Sequence, residues 1–209
     1  MAYHLPDWLI QKDLEVWKTV HANGHTPFLD IVIPFVRNEN FWAPLYIFLL
    51  VYVTLNFKKA GWVWCLLFFA AFGCSDYINS SILKPLFDRL RPCNTPELQS
   101  MMHLLVPCGG GKSFPSSHAA NHFAMGVFSA ITFSRHLKFA WVFFIAWALL
   151  VSYAQVYVGV HFPLDVLGGA VVGTVIGTLF ALFFGIRFRL SKPKPPADAA
   201  ATVAVAHNR

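Results

Sequence analysis

The chain has 209 residues, 56% of them hydrophobic and 12% charged, with a formal net charge of +6. A soluble domain typically carries about 25% charged residues, so this composition excludes an ordinary soluble globule and points to a bilayer. The basic balance does not indicate nucleic acid, because no basic helix or stacking platform accompanies it.

Residues 1 to 20 carry Asp7, Lys12, Asp13, Glu15 and Lys18 where a cleavable signal peptide would hold an apolar core, so none is expected. Trp8, Ile10, Leu14, Trp17 and Val20 recur among those charges at spacings of two to four. That pattern predicts an amphipathic helix lying in the interface, with its tryptophans at headgroup depth. After the turn cluster 22–27, the apolar stretch from Leu29 to Val36 is too short to cross and is a candidate to re-enter partway. Charge-free intervals of 18, 22, 26 and 21 residues then separate Glu39 from Lys58, Lys112 from Arg135, Lys138 from Asp165 and Asp165 from Arg187. A fifth interval of 24 residues, Lys59 to Lys84, is broken only by Asp76. A crossing helix needs about 20 apolar residues. The chain is therefore predicted to be an all-α polytopic membrane helix bundle, with an N-terminal interfacial helix and spans near 41–57, 61–83, 118–134, 139–160 and 164–186. Its organisation reads as an N-terminal amphipathic segment (1–40), a helical core (41–190) and a Pro/Ala-rich tail (191–209) expected to be disordered and cytoplasmic.

Cations set the expected orientation. Lys58, Lys59, Arg135, Lys138, Arg187, Arg189, Lys192 and Lys194 follow the first, third and fifth spans and fall on one side, which the positive-inside rule makes cytoplasmic. Lys84, Arg89, Arg91 and Lys112 share one loop on the opposite side, against that trend, and need another reason to exist. Asp76 within a span is a functional candidate by default, with Asn79, Ser80 or a neighbouring helix as its expected partners. Gly169, Gly173 and Gly177 form a smooth stripe suited to close helix packing.

Three pieces carry the chemistry. Lys84 and Arg91 lie seven residues apart, two helical turns, and can face one side to hold phosphate oxygens, Arg91 through a forked contact. Ser116 is a good N-cap opening a helix whose first turn holds Ser117 and His118, and a helix start offers unpaired N–H groups to an anion. Pro163 suits the first position of the last helix, which places His161 just before it and Asp165 in its first turn. An aspartate there can accept a hydrogen bond from the histidine ring, fix its tautomer and leave the other nitrogen free to attack.

The pattern K-x6-RP, PS-x-H and H-x3-D resembles the type 2 phosphatidic acid phosphatase and haloperoxidase superfamily, over about Lys84 to Asp165. The resemblance implies a membrane lipid phosphatase needing no metal or other cofactor. In it His161 is the nucleophile that forms a phosphohistidine, Asp165 orients it, and His118 is the general acid and then base. Lys84, Arg91, Ser116 and the amides around Ser117 would surround the phosphoryl group. The family's arginine six residues before the nucleophile is Gln155 here, with Ala154 in place of the usual serine, so one phosphate contact is weakened; Arg89 or Lys112 is the candidate replacement. The implied substrate is a lipid phosphate presented at the outer face of the cell (inner) membrane, such as undecaprenyl diphosphate, phosphatidic acid or phosphatidylglycerol phosphate. Lipid phosphotransfer, or a weakly active lipid-phosphate binder, is the alternative. Cys65 and Cys74 read as packing residues, whereas Cys93 and Cys108 lie beside the first two motifs, where pairing is open.

Overall fold

The computed structural model describes residues 6–190, so the tail at 191–209 lies outside the described residues. The first helix, α1 (Asp7–Trp17), continues into a π-turn, Lys18–Ala22. It is amphipathic as expected, yet its two tryptophans part company. Trp8 is exposed, whereas Trp17 is fully buried with Leu98, Val156 and Phe162. The expectation of Trp17 at headgroup depth is therefore corrected. Asp13 lies on the same buried face and accepts from the Leu164 N–H at 2.8 Å and from Arg89, which turns that face onto the bundle.

Helix α2 (Pro27–Arg37) starts at Thr26, whose hydroxyl accepts from the Leu29 N–H at 3.3 Å. Its 11 residues span about 16 Å, roughly half the hydrocarbon core. It packs against α6 (Ala140–Tyr157), which sets Arg37 at the bundle's edge.

The predicted first two spans are the two helical arms of α3 (Ala43–Tyr77), which reverses direction where Lys58 adopts φ 49. Gly61 makes the reversal possible: a Cβ there would lie 2.1 Å from the carbonyl oxygen of Val53 in the other arm. The second arm runs through a π-turn, Ile78–Leu83, into the short α4 (Lys84–Phe87), which Asp88 ends in the left-handed region.

Helix α5 (Ser117–Phe133) is the centre, with every residue from 119 to 130 buried. A helix apolar on all sides belongs inside other helices. Helix α7 (Pro163–Arg187) lies along it, and the glycine stripe is the reason it can. A Cβ on Gly169, Gly173 or Gly177 would fall 2.4, 2.1 or 2.4 Å from the carbonyl oxygens of Ser116, Ala120 and Ala124. Among the described residues, three stretches are long and apolar enough to cross a membrane: Glu39–Phe87, which contains both arms of α3, Ala140–Tyr157 and Pro163–Arg187. Their outer faces expose Phe48, Trp62, Leu66, Trp141, Val171 and Ile186, as a lipid-facing surface requires. No strand occurs among the described residues.

The bundle has two distinct ends. At one, Phe57, Phe133, Phe184 and Leu190 cluster, and the His136 ring meets the Leu190 carbonyl. At the other, α4 and α6 end and α5 and α7 begin. Polar links stitch this second end. Asn121 on α5 donates to Asp76 at 3.1 Å, so the neighbouring helix is Asp76's partner. Asn79 instead donates to the Pro115 carbonyl and the Ser117 hydroxyl, both at 3.0 Å. Cys93 and Cys108 form a disulfide, while Cys65 and Cys74 are free.

Candidate active site

Four helix ends bring the three separated motifs to one place. A left-handed turn at Gly159 (φ 76) follows α6 and swings His161 inward, where it is 2% exposed. The 3₁₀ turn Pro92–Asn94, started by Arg91 and tied to Cys108, carries the Arg91 guanidinium alongside. Arg91 Nη1 lies 3.3 Å from His161 Nε2 and donates to the Val160 carbonyl at 3.3 Å, while its Nε donates to the Gly111 carbonyl at 3.0 Å.

The other face of the ring meets Asp165. His161 Nδ1 is 3.5 Å from Asp165 Oδ2 and 3.4 Å from the Ser113 hydroxyl, which itself donates to Asp165 Oδ2. The Phe162 N–H donates to the same oxygen at 2.8 Å. With Nδ1 held toward the carboxylate, Nε2 is left with its lone pair on the cation side. Burial pushes the His161 imidazole down to about 4, with Arg91 and Lys84 adding to the shift and Asp165 opposing it. The ring is therefore neutral at ordinary pH.

Asp165 is also bound from behind. Arg89 donates to Asp165 Oδ1 at 2.7 Å and to Asp13, with its guanidinium 4.3 Å above the Phe162 ring. Two carboxylates thus occupy Arg89, and Lys112 pairs with Asp88. Arg89 and Lys112, the candidate replacements for the missing arginine, are thus both engaged by carboxylates and not by Gln155. Arg37, at the end of α2, does reach it. Its Nε donates to Gln155 Oε1 at 3.2 Å, while Gln155 is fully buried and its Nε2 has no partner.

His118 sits half-buried in the first turn of α5, above Ser116, whose N–H donates to the Asp165 carbonyl at 2.8 Å. The Ser117 hydroxyl is engaged by Asn79 and lies 3.3 Å from that of Ser80. The His118 ring lies within electrostatic reach of Arg37, Lys84 and His161. The Lys84 side chain makes no hydrogen bond or ion pair among the described residues, and it lies within electrostatic reach of Arg91, Asp76 and Asp165. Arg37 feels Arg91 as well. Arg37 and Lys84 thus each lie within electrostatic reach of Arg91, and a bound anion relieves that repulsion. A cleft of about 480 Å³ opens beside Arg37 and His118, lined also by Pro34, Phe35, Glu39 and Val106.

Sequence reasoning missed Arg37, Ser113 and Asp13. Each lies outside the short motifs, and no spacing signal connects a residue on α1 or α2 with a motif more than 100 residues away.

The chain is similar to several known proteins. A 4'-phosphatase of lipid A from Bacteroides thetaiotaomicron is 32% identical over 166 residues, covering 77% of this chain and 72% of that protein. An undecaprenyl-diphosphatase of Bacillus subtilis is 28% identical over 170 residues, covering 81% and 82%. The crystal structure of a transmembrane PAP2-type phosphatidylglycerolphosphate phosphatase from Bacillus subtilis superposes with a TM-score of 0.69 at 26% identity, covering 88% and 90%. Residues 62–189 match the PAP2 superfamily model, a stretch that holds all three motifs but neither Asp13 nor Arg37. This chain belongs to the PAP2 superfamily.

Proposed function

We propose that the protein is an integral membrane phosphatase that removes a terminal phosphate from a lipid, with its site on the extracytoplasmic side. The observation that carries this is the convergence of Arg37, Lys84 and Arg91 on two imidazoles, one of which is held by a carboxylate. Binding phosphate needs only the cations. The oriented nucleophile and the second histidine suit turnover.

On this reading the reaction has two steps. His161 Nε2 attacks phosphorus, forming an N–P bond as the P–O bond to the lipid breaks, and the leaving oxygen takes a proton from His118. Asp165 stabilises the imidazolium that develops, because Nδ1–H points at it. His118 then takes a proton from water, the water oxygen attacks phosphorus, and the N–P bond breaks to release inorganic phosphate. Lys84, Arg91, Arg37 and the amides at the start of α5 hold the phosphoryl oxygens, with Ser116 and Ser117 shaping that turn and Gln155 aiming Arg37. Arg89 is assigned to Asp165 as a positioning residue. The cationic end of the bundle, with Lys58, Lys59, Arg135, Lys138, Arg187 and Arg189, supports a cytoplasmic location for the opposite face.

The similar proteins act on lipid A, undecaprenyl diphosphate and phosphatidylglycerol phosphate by name, which makes a bacterial lipid phosphate the substrate class to test first. An apolar groove lined by Tyr46, Phe68, Phe72 and Met125 runs beside His122, one turn below His118, and suits a lipid tail. Phosphate release from a panel of these lipids, by wild type and His161→Ala, tests the reading. Release that persists in the variant refutes it.

A further inference from the structure

Outside the catalytic centre, the corner between α1 and α2 gathers imidazoles around one carboxylate. His25 Nδ1 lies 2.6 Å from Asp30 Oδ1, and His103 Nε2 lies 3.9 Å from Asp30 Oδ2. The two rings stand 4.5 Å apart, and one donor atom from each of the three residues lies within 4.8 Å of the others. His25 Nε2 is buried without any hydrogen-bond partner. From these contacts we propose that His25, Asp30 and His103 form a divalent metal site, selective for Zn²⁺ over Mg²⁺ or Ca²⁺.

Two imidazoles and one carboxylate are the donor set that zinc prefers, with water free to complete the tetrahedron, whereas magnesium and calcium favour oxygen ligands. Ligand atoms around tetrahedral zinc lie about 3.3 Å apart, so the 3.9 Å gap needs only a small inward movement of His103, which is exposed and free to make it. The Asp30 carboxylate also accepts from the Tyr157 hydroxyl at 2.6 Å, which fixes its orientation toward the two imidazoles.

The scaffold around the site is built. His21 is fully buried; its Nδ1 donates to the Tyr157 carbonyl at 2.7 Å and its Nε2 accepts from the His103 N–H at 3.2 Å. Both of its nitrogens are used, so His21 is a strut rather than a ligand. That strut fixes the backbone of His103 and abuts Gly159, where a Cβ would fall 2.6 Å from the ring. An ion here ties α2 and the segment carrying His103 to the end of α6, four residues before His161. This inference does not depend on the proposed lipid substrate.

The test uses tag-free, full-length protein in detergent, stripped with chelator, equilibrated with Zn²⁺, desalted, and measured for bound metal by mass spectrometry. The site predicts about one zinc per wild-type chain, and less than about a tenth of that in His103→Ala and Asp30→Asn variants with the wild-type elution profile. Cobalt should replace zinc and give the intense visible band of a four-coordinate site, lost in the same variants. Wild-type protein that retains no zinc, or variants that retain as much as wild type, overturns the proposal. His103 is exposed, so its replacement keeps the test open even if Asp30→Asn fails to fold.

Discussion

Arg37 gives the sharpest test of how this chain manages with Gln155 in place of the family arginine. Its Nε is committed to Gln155 Oε1 at 3.2 Å, and Arg37 lines the cleft beside His118. A hydrogen bond to a charged group contributes about 1.5–3 kcal/mol, so Arg37→Ala should lower kcat/KM by about 10- to 150-fold. The same change orphans Gln155 Oε1 in a fully buried position, a further cost of about 1–3 kcal/mol in stability. Phosphate release at varied lipid concentration separates these effects from each other when thermal unfolding is followed in parallel. Arg37→Lys keeps the charge without the fork and should fall between. Gln155→Arg in the Arg37→Ala background should recover part of the loss by restoring a cation at the same phosphate oxygens. Arg37→Ala with kcat/KM within about twofold of wild type refutes the assignment.

Other expectations follow from the same contacts. Asp13→Asn loosens Arg89 and, through it, Asp165; kcat should fall about tenfold with KM little changed, measured by steady-state phosphate release. Because the folded pKa of His161 is lowered from 6.5 to about 4, the protein favours the neutral ring. The unfolded chain binds the extra proton first, so this stability is fully present above about pH 6.5 and is lost as pH falls toward 4, on the order of 3 kcal/mol. His161→Asn should flatten that part of the stability–pH curve, read by chemical denaturation. Reducing the Cys93–Cys108 disulfide, which closes a 15-residue separation, should lower stability by about 3 kcal/mol, and Cys93→Ser/Cys108→Ser should show the same shift without reductant.

Much of the fold was legible because a bilayer imposes a length on apolar segments, and the charge-free intervals carry that length directly. The reversal at Lys58 shows where the reading stopped. The charge pair ends the first apolar run, but whether the chain makes a loop or folds over a single residue depends on Gly61 meeting Val53, a contact between arms. In the site, the motifs supplied His118, His161, Asp165, Lys84 and Arg91 because each sits at a helix end with its own local signature. Arg89 was placed in the loop, but nothing local says that it faces Asp13 and Asp165, a contact between distant segments. Arg37 was counted only as a charge near the N-terminus. Its place at Gln155 depends on how α2 packs against α6, which is tertiary information. Trp17 failed for a similar reason: an amphipathic helix on a membrane protein can present its apolar face to lipid or to the bundle, and the periodicity is the same.

The central claim is that His161 Nε2 becomes bonded to phosphorus. Rapid acid-free quenching of a turnover mixture with the substrate lipid, followed by proteolysis and mass spectrometry, reads this directly. The account predicts an acid-labile phosphate on the peptide containing His161, absent when Asn occupies that position. Phosphate found on another residue, or steady release with no labelled His161 under conditions that trap a phosphohistidine standard, would contradict it.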